Sequence, residues 1–268
     1  MEKYLYSGKD ELENSGQCLI NYYKHVVNII YQSFKCKGEK ILDFGAGIGT
    51  LSLIYENISG IRPNCVELDS VNRKALEKKG FKVLESIKHS KTNFDAIFSS
   101  NVLEHIKDDE KAILEICKKL NKNGYLFLFL PAFQMLFSDM DKKVGHFRRY
   151  NMNDLKKKIR QANLEICYCN YFDSLGFFAS LLMKVTGYNH KKGIGSKDSL
   201  IFYDKYVTPI SFFLDKLGIR FLFGKNIILL AKKWKKNYLV WSIICFTKSA
   251  SNPIDSIIKD SSSPPIPR

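Results

Sequence analysis

Residues 41–50, with the sequence ILDFGAGIGT, combine a short apolar run with a turn that contains three glycines. The apolar residues predict a buried strand, and Gly45, Gly47 and Gly49 predict a tight turn after it. Their G-x-G-x-G spacing differs from the G-x-G-x-x-G of dinucleotide-binding folds, in which a pyrophosphate lies at a helix N-terminus. Asp43 is also unsuited to a pyrophosphate pocket, because a carboxylate attracts a cationic group. The stretch therefore predicts a turn that holds a nucleotide-like ligand with an ammonium group nearby.

Three further segments predict strands of the same sheet. Residues 65–69 (CVELD) form a short apolar run that ends in acids, and a βαβ unit would bring Glu67 beside the glycine turn. A carboxylate there can accept both hydrogen bonds of a ribose diol. Residues 94–106 (FDAIFSSNVLEHI) and 123–132 (NGYLFLFLPA) add two more strands. Relief of backbone strain also explains glycines in a turn, but the surrounding segments favour a ligand site.

With these motifs in this order and spacing, the chain resembles the class I S-adenosylmethionine-dependent methyltransferases. The resemblance covers about residues 4 to 233. Residues 131–150, which include the run GHFRRY, and the late strand NIILLAKK are similar to a bacterial subgroup that acts in glycan or lipid-linked sugar pathways. The resemblance implies an enzyme that uses S-adenosyl-L-methionine to methylate an acceptor.

The fold implied by the resemblance is an α/β, doubly wound, seven-stranded Rossmann-like sheet with a helical insertion before the last strand. We predict an N-terminal cap helix in residues 1–35, a methyltransferase domain in residues 36–233 and a basic, Ser/Pro-rich tail in residues 234–268. Within the domain, residues 174–224 form the insertion, which is long for a plain connection. Its apolar helices with basic edges either roof the substrate pocket or lie in a membrane interface.

The resemblance also implies which residues contact the cofactor. The glycines would let the backbone approach its methionine portion, Asp43 would face its amino group, and Glu67 would hold the ribose hydroxyls. Asn101 would border the methionine and sulfonium region. The predicted cofactor-binding residues are Asp43, Gly45, Gly47, Gly49, Glu67 and Asn101. No adenine-side acid is evident in the sequence, and Glu85 or Ser86 is the nearest candidate.

Residues 145–150 (GHFRRY) follow the fifth strand, on the side where a doubly wound sheet presents its ligands. We predict that they act on the acceptor. His146 can remove a proton from a hydroxyl, and Arg148 or Arg149 can hold a phosphate or carboxylate; Tyr150 belongs to the same predicted group. The alternative is that the arginines brace this segment through Asp139 and Asp141.

Composition and charge limit the possible partners. Residues 1–150 carry 23 basic and 19 acidic side chains, whereas residues 151–268 carry 19 and 8. The basic second half suggests an acidic partner, such as a membrane surface, a nucleic acid or a phosphorylated substrate, although a solvated lysine-rich surface gives the same count. The longest apolar runs are shorter than the roughly 20 residues that span a bilayer, and the N-terminus lacks a secretory pattern.

The seven cysteines and five histidines show no zinc-type spacing, so the sequence predicts core thiols and no metal site. We therefore expect a cytoplasmic enzyme, peripheral at most on the inner membrane face, whose acceptor is a small molecule, a glycan or a lipid-linked molecule methylated on a hydroxyl. Nucleic acid is a less favoured partner, because no nucleic-acid module is recognised. Two alternatives remain open: an RNA methyltransferase, and a non-catalytic subunit that binds S-adenosylmethionine.

Overall fold

The computed structural model describes residues 9–35, 37–186 and 196–234, with side chains from residue 14 onward. It contains a seven-stranded mixed sheet in the order β3-β2-β1-β4-β5-β7-β6, in which only β7 runs antiparallel to its neighbours. The strands are β1 (Ile41–Phe44), β2 (Asn64–Val66), β3 (Val83–Leu84), β4 (Phe94–Ser100), β5 (Leu120–Pro131), β6 (Leu164–Phe172) and β7 (Asn226–Lys233). The predicted fold class is confirmed.

Ten α-helices accompany these strands within the described residues. They are α1 (Lys9–Cys18), α2 (Ile20–Phe34), α3 (Thr50–Ser59), α4 (Ser70–Lys78), α5 (Asp109–Lys119), α6 (Asp139–Lys143), α7 (Met152–Gln161), α8 (Ser174–Thr186), α9 (Lys197–Phe202) and α10 (Thr208–Lys216). A π-helical turn, Tyr203–Val207, joins α9 to α10. Short 3₁₀ turns occupy Ile87–His89, Leu103–His105, Gln134–Leu136 and Ile219–Phe221.

Helices cover both faces of the sheet. On one face, Ile113 of α5 and Leu155 of α7 pack with Leu126 and other strand residues in one buried cluster. On the other face, Val27 of α2 and Tyr55 of α3 pack in a second buried cluster. The strand residues of this cluster alternate along the strands with those of the first cluster. The continuous apolar runs of the central strands follow from this burial, because a parallel sheet covered on both faces has no solvent face. Each fully buried side chain of this size contributes about 1.5–3 kcal/mol.

The insertion lies at the carboxyl edge of the sheet, the edge where ligands bind in open α/β folds. Helix α8 begins directly after β6, and β7 begins after the last turn of the insertion. Asn226, the first residue of β7, pairs with both Pro131 and Phe172, the last residues of β5 and β6. The helices of the insertion therefore start and finish at the same edge as the glycine turn.

The N-terminal cap, predicted as one helix in residues 1–35, consists of two helices in the structure, α1 and α2. The chain breaks at Leu19, whose backbone is not helical. Asp204 in the insertion accepts hydrogen bonds from the backbone N–H groups of Asn21 and Tyr22 at 2.9 and 2.8 Å. A side chain distant in sequence thus caps the start of α2, a role usually taken by the residue just before the helix.

Two other expectations concern the C-terminal tail and membrane-spanning helices. The tail predicted for residues 234–268 lies outside the described residues from residue 235 onward. Among the described helices, none has the combination of length and hydropathy that a membrane span needs.

Candidate functional site

The glycine turn connects β1 to α3 and adopts the left-handed backbone that the sequence predicts. Gly45, Gly47 and Gly49 have φ angles of +82°, +56° and +85°. A Cβ atom on Gly45 would lie 2.3 Å from Val102, and one on Gly49 would lie 2.6 Å from Leu76. Alanine at either position would therefore meet both strained backbone and a steric clash. The N–H groups of the three glycines donate within the fold, to Val66, Glu67 and Ala46.

Glu67, which follows β2, is linked directly to this turn. One carboxyl oxygen accepts the Gly47 N–H at 2.7 Å, and the other accepts the Asp69 N–H at 2.8 Å. Burial raises the pKa of Glu67, while these hydrogen bonds lower it. Each carboxylate oxygen can accept a second hydrogen bond, so Glu67 can hold the turn and still accept from a ribose diol.

Asp43 is almost fully buried at the end of β1, with 3% of its surface exposed. Burial raises its pKa to about 7, although the Ser52 hydroxyl donates to it at 2.6 Å. A cationic group beside this carboxyl would return it to the ionised form. The site therefore suits the ammonium group of an amino-acid moiety, directly or through water.

Asn101 lies where β4 ends and has a φ angle of +53°. Its backbone N–H donates to the Phe129 carbonyl at 2.8 Å, and its side chain is exposed. Asparagine tolerates this left-handed conformation better than most residues. Because β1 lies between β2 and β4, the ends of these three strands bring the six predicted cofactor residues to one edge of the sheet.

Glu85 and Ser86, the candidates for an adenine contact, have local partners. The Glu85 carboxylate lies 3.9 Å from the Arg73 guanidinium. The Ser86 hydroxyl accepts the Lys88 N–H at 3.3 Å, at the start of a 3₁₀ turn. An adenine contact by either residue stays a prediction.

The segment after β5 holds His146 in one orientation. Its Nδ1 lies 2.8 Å from the Asp141 carboxylate, which also accepts two hydrogen bonds from Arg149 at 2.9 and 3.0 Å. Burial by itself would raise the pKa of Asp141, but the hydrogen bonds from His146 and Arg149 bring it well below its usual range. Because Asp141 is an anion, it favours a proton on Nδ1 and leaves a lone pair on Nε2.

Arg148, Arg149 and Tyr150 each have a partner within the fold, and their contact with the acceptor stays a prediction. Tyr150 is 3% exposed, and its hydroxyl donates to Asp109 at 2.9 Å. Arg148 lies 3.0 Å from the same carboxylate, while Arg149 forms the pair with Asp141. The geometry favours the bracing alternative for these three residues. Asp139, the other expected brace, pairs with Lys142 instead.

Glu104 is a residue that the sequence analysis did not select. It lies in the 3₁₀ turn after β4 and is completely buried, and neither of its carboxyl oxygens has a hydrogen-bond partner among the described residues. Burial raises its pKa to about 8. Its Oε1 lies 3.8 Å from His146 Nε2. The adjacent Glu-His pair in NVLEHI was the available sequence signal. It did not identify Glu104 by itself, because the burial of an acid near apolar residues can be judged only when its surroundings in the fold are known.

His105 follows Glu104, and its ring centroid lies 4.5 Å from that of His146. Burial and the neighbouring His146 lower its pKa to about 4. Both rings therefore lie at the carboxyl edge of β4 and β5. The structure brings His146 into a group with Glu104 and His105, and Asp141 links this group to Arg149.

Lys225 is a second residue that the sequence analysis did not identify. Its ammonium lies over the rings of Tyr22 and Tyr203, at 5.9 and 6.0 Å from their centroids. Burial lowers its pKa. Within the described part of the chain, this ammonium forms no ion pair within 4.0 Å, and the charge of Asp173 partly offsets the effect of burial on its pKa.

Comparison with known proteins agrees with this geometry. A family model described as a methyltransferase domain matches residues 23–168. No curated protein sequence matches the chain significantly. Among solved structures, a SAM-dependent methyltransferase from Archaeoglobus fulgidus has a TM-score of 0.52 at 19% identity, with 78% of this chain and 92% of that one covered.

Two further structures share the fold. A SAM-dependent methyltransferase from Thermotoga maritima has a TM-score of 0.52 at 15% identity, covering 85% of this chain and 98% of that one. Phosphoethanolamine N-methyltransferase 2 from Haemonchus contortus, in complex with S-adenosyl-L-methionine, has a TM-score of 0.51 at 17% identity. The match covers 78% of this chain and 52% of that one. These identities establish likeness of fold alone, while the family model covers more than half of the chain. The chain belongs to the methyltransferase domain family and is a class I S-adenosylmethionine-dependent methyltransferase.

Proposed function

We propose that the protein transfers the methyl group of S-adenosyl-L-methionine to a hydroxyl of a small-molecule, glycan or lipid-linked acceptor. The observation that supports a hydroxyl is the orientation of His146. Its Nδ1 is hydrogen-bonded to Asp141, so Nε2 presents a lone pair beside the buried Glu104 carboxyl. An amine acceptor is nucleophilic once it is neutral, whereas a hydroxyl must lose its proton during the transfer. His146 and Glu104 supply the groups that assist the loss of this proton.

Methyl transfer from a sulfonium is an in-line displacement of an already activated carbon. The enzyme chiefly aligns the acceptor with the methyl group and excludes water. We place the cofactor along Asp43, the glycine turn, Glu67 and Asn101, with the acceptor hydroxyl on the His146 side of the same edge. Lys225 replaces the two arginines as the group that receives an anionic part of the acceptor, because those arginines already pair with Asp109 and Asp141.

Methyl transfer from tritium-labelled S-adenosyl-L-methionine tests this proposal. Purified protein is incubated with lipid, glycan and nucleic-acid fractions of the source organism, and the label is followed into each. We expect label in a lipid or glycan fraction that resists mild alkali, since a methyl ether survives conditions that release methanol from a methyl ester. Mass spectrometry then identifies the methylated atom.

The other outcomes contradict the proposal. Label released by ribonuclease would favour an RNA methyltransferase, and label on nitrogen would exclude the hydroxyl. Cofactor binding without transfer to any fraction would favour the non-catalytic subunit.

We further propose that the insertion rests on an anionic lipid surface without crossing it. Large apolar side chains of the insertion are at least half exposed, and they are Phe178, Leu182, Val185, Ile201, Phe202, Tyr206, Ile210, Phe213, Leu217, Phe221 and Leu222. Lys205, Lys216 and Arg220 lie among them and are also exposed. Isolated exposed apolar residues are ordinary, but a group of this size with a basic edge is typical of an interfacial site.

Vesicle sedimentation tests this surface. We expect the protein to bind phosphatidylglycerol-containing vesicles more tightly than pure phosphatidylcholine, and to release as salt shortens the Debye length from about 30 to about 8 Å. The double variant Phe213→Ser with Leu217→Ser removes two side chains that are 60% and 67% exposed. Binding should weaken at least about tenfold, because each buried side chain of this kind contributes about 1.5–3 kcal/mol.

Leu114→Ser is the matched control. Leu114 is 44% exposed but lies on α5, outside the insertion. Its substitution should leave vesicle binding unchanged. Equal binding by the parent and the double variant, or no binding of the parent at low salt, would refute the membrane proposal.

A further inference from the structure

Three side chains at the carboxyl edge of the sheet lie close enough to share one cation. Glu104 and His105 come from the turn after β4, and His146 comes from the segment after β5. Each offers one ligand atom, and the three atoms lie within 4.8 Å of one another. Bonds of about 2.0–2.2 Å to an ion such as zinc require these side chains to close slightly around it.

The burial of Glu104 is the first argument for a cation. A carboxylate transferred from water without a partner costs several kcal/mol, so buried acids are paired, protonated or bound to metal. The Glu104 side chain has no exposed surface, and neither oxygen has a hydrogen-bond partner in the described part of the chain. Arg149, whose charge lies nearby, already forms a two-bond pair with Asp141. The position therefore lacks a positive partner.

The arrangement around His146 is the second, independent argument. Metal-binding histidines usually donate their other ring N–H to a carboxylate, which fixes the ring and makes the ligating nitrogen more basic. Asp141 takes that place at Nδ1, and Ser138 and Arg149 hold Asp141 in turn. The Nε2 atom lies 3.8 Å from Glu104 Oε1, which is too long for a hydrogen bond.

We propose that Glu104, His105 and His146 bind one divalent transition-metal ion that also coordinates the acceptor's hydroxyl oxygen. Two imidazoles and a carboxylate suit zinc, iron(II), cobalt(II) and manganese(II), and three protein ligands leave a position open for substrate. The sequence predicted no metal, because His146 lies far along the chain from the Glu-His pair and forms no short spacing motif with it.

This inference rests on the proposed methylation of a hydroxyl and adds how the hydroxyl is activated. Coordination lowers the pKa of the hydroxyl, and its proton leaves to solvent water. The oxygen then forms a bond to the methyl carbon, while the carbon–sulfur bond breaks and sulfur keeps the electron pair. His146 thus acts on the acceptor through the ion that it binds.

Cobalt(II) titration of the metal-free full-length protein tests the site. We expect one Co²⁺ per chain, with visible d–d absorption from a site that has nitrogen ligands, and displacement by Zn²⁺. Glu104→Gln preserves the shape of the side chain and should weaken Co²⁺ binding at least about tenfold. Asp141→Asn should weaken it by about 10- to 100-fold through the orientation of His146. His89→Ala, at an exposed histidine in a different turn, should have no effect.

Circular dichroism and S-adenosyl-L-methionine binding establish that each variant is folded. If the folded parent binds no Co²⁺, or if Glu104→Gln and His146→Ala bind it like the parent, the metal site is refuted. Chelator-treated protein that still forms a methyl ether at the parental rate would refute the ion's role and leave the proposed function standing. If the protein binds the ion but the tritium label is found on nitrogen, hydroxyl methylation is refuted and the metal site still stands.

Discussion

His146→Ala is expected to lower turnover by roughly 10²–10⁴-fold, the range for loss of a group that assists proton transfer, while cofactor affinity is retained. The reason is the position of the ring. His146 lies beside Glu104, after β5, whereas the glycine turn and Glu67 follow β1 and β2. In the proposed division of the site, His146 therefore faces the acceptor. Steady-state kinetics on the acceptor found by label transfer, together with calorimetry for S-adenosyl-L-methionine, give the two quantities.

His89→Ala is the control, and thermal unfolding shows whether His146→Ala remains folded. Asp141 keeps its bonds from Arg149 and Ser138 in the variant, so we expect the segment to stay in place. Parental turnover in His146→Ala would show that the residue is structural and that alignment alone is sufficient. Loss of cofactor binding would show that this segment closes over the cofactor, against the division of the site proposed above.

Glu67→Ala is expected to weaken binding of S-adenosyl-L-methionine and its demethylated product by about 1.5–3 kcal/mol, the value of hydrogen bonds to a charged group. That range corresponds to about 10- to 150-fold in the dissociation constant. Two losses contribute, because Glu67 accepts from Gly47 as well as from the predicted ribose hydroxyls. Isothermal titration calorimetry measures the change.

Glu67→Gln separates these two contributions. The amide keeps one oxygen that can accept the Gly47 N–H and loses the charge and the second acceptor, so it should unfold near the parental temperature and still bind more weakly. Glu77→Ala, at an exposed acid on α4, is the matched control. Parental affinity in Glu67→Ala would place the ribose contact elsewhere.

The geometry of the candidate cofactor region could largely be predicted from sequence because its signals are local. The glycines at 45, 47 and 49 lie in one turn, and their left-handed φ angles follow from a restriction that acts within a single residue. Strands β1, β2 and β4 were recognised as short apolar runs with polar ends. Parallel topology then brings their carboxyl ends together without further information.

The surroundings of the predicted acceptor residues could not be predicted, because residue type does not reveal a partner distant in sequence. Arg149 and Tyr150 have the chemistry of an acceptor site, yet Asp141 and Asp109 pair with them in the fold. Glu104 gave no signal of its own, since its significance comes from complete burial without a hydrogen-bond partner. These are properties of packing.

The sequence by itself determined the fold class, the glycine turn and the acids at the carboxyl ends of β1 and β2, since periodicity and backbone restriction act over a few residues. Only the tertiary structure decided that Asp204 caps α2 from 183 residues away, that His146 joins Glu104 and His105, and that Lys225 lies over two tyrosine rings. Each of these contacts joins segments from separate parts of the chain. Their geometry depends on how the insertion and the segment after β5 pack on the sheet, which no local pattern encodes.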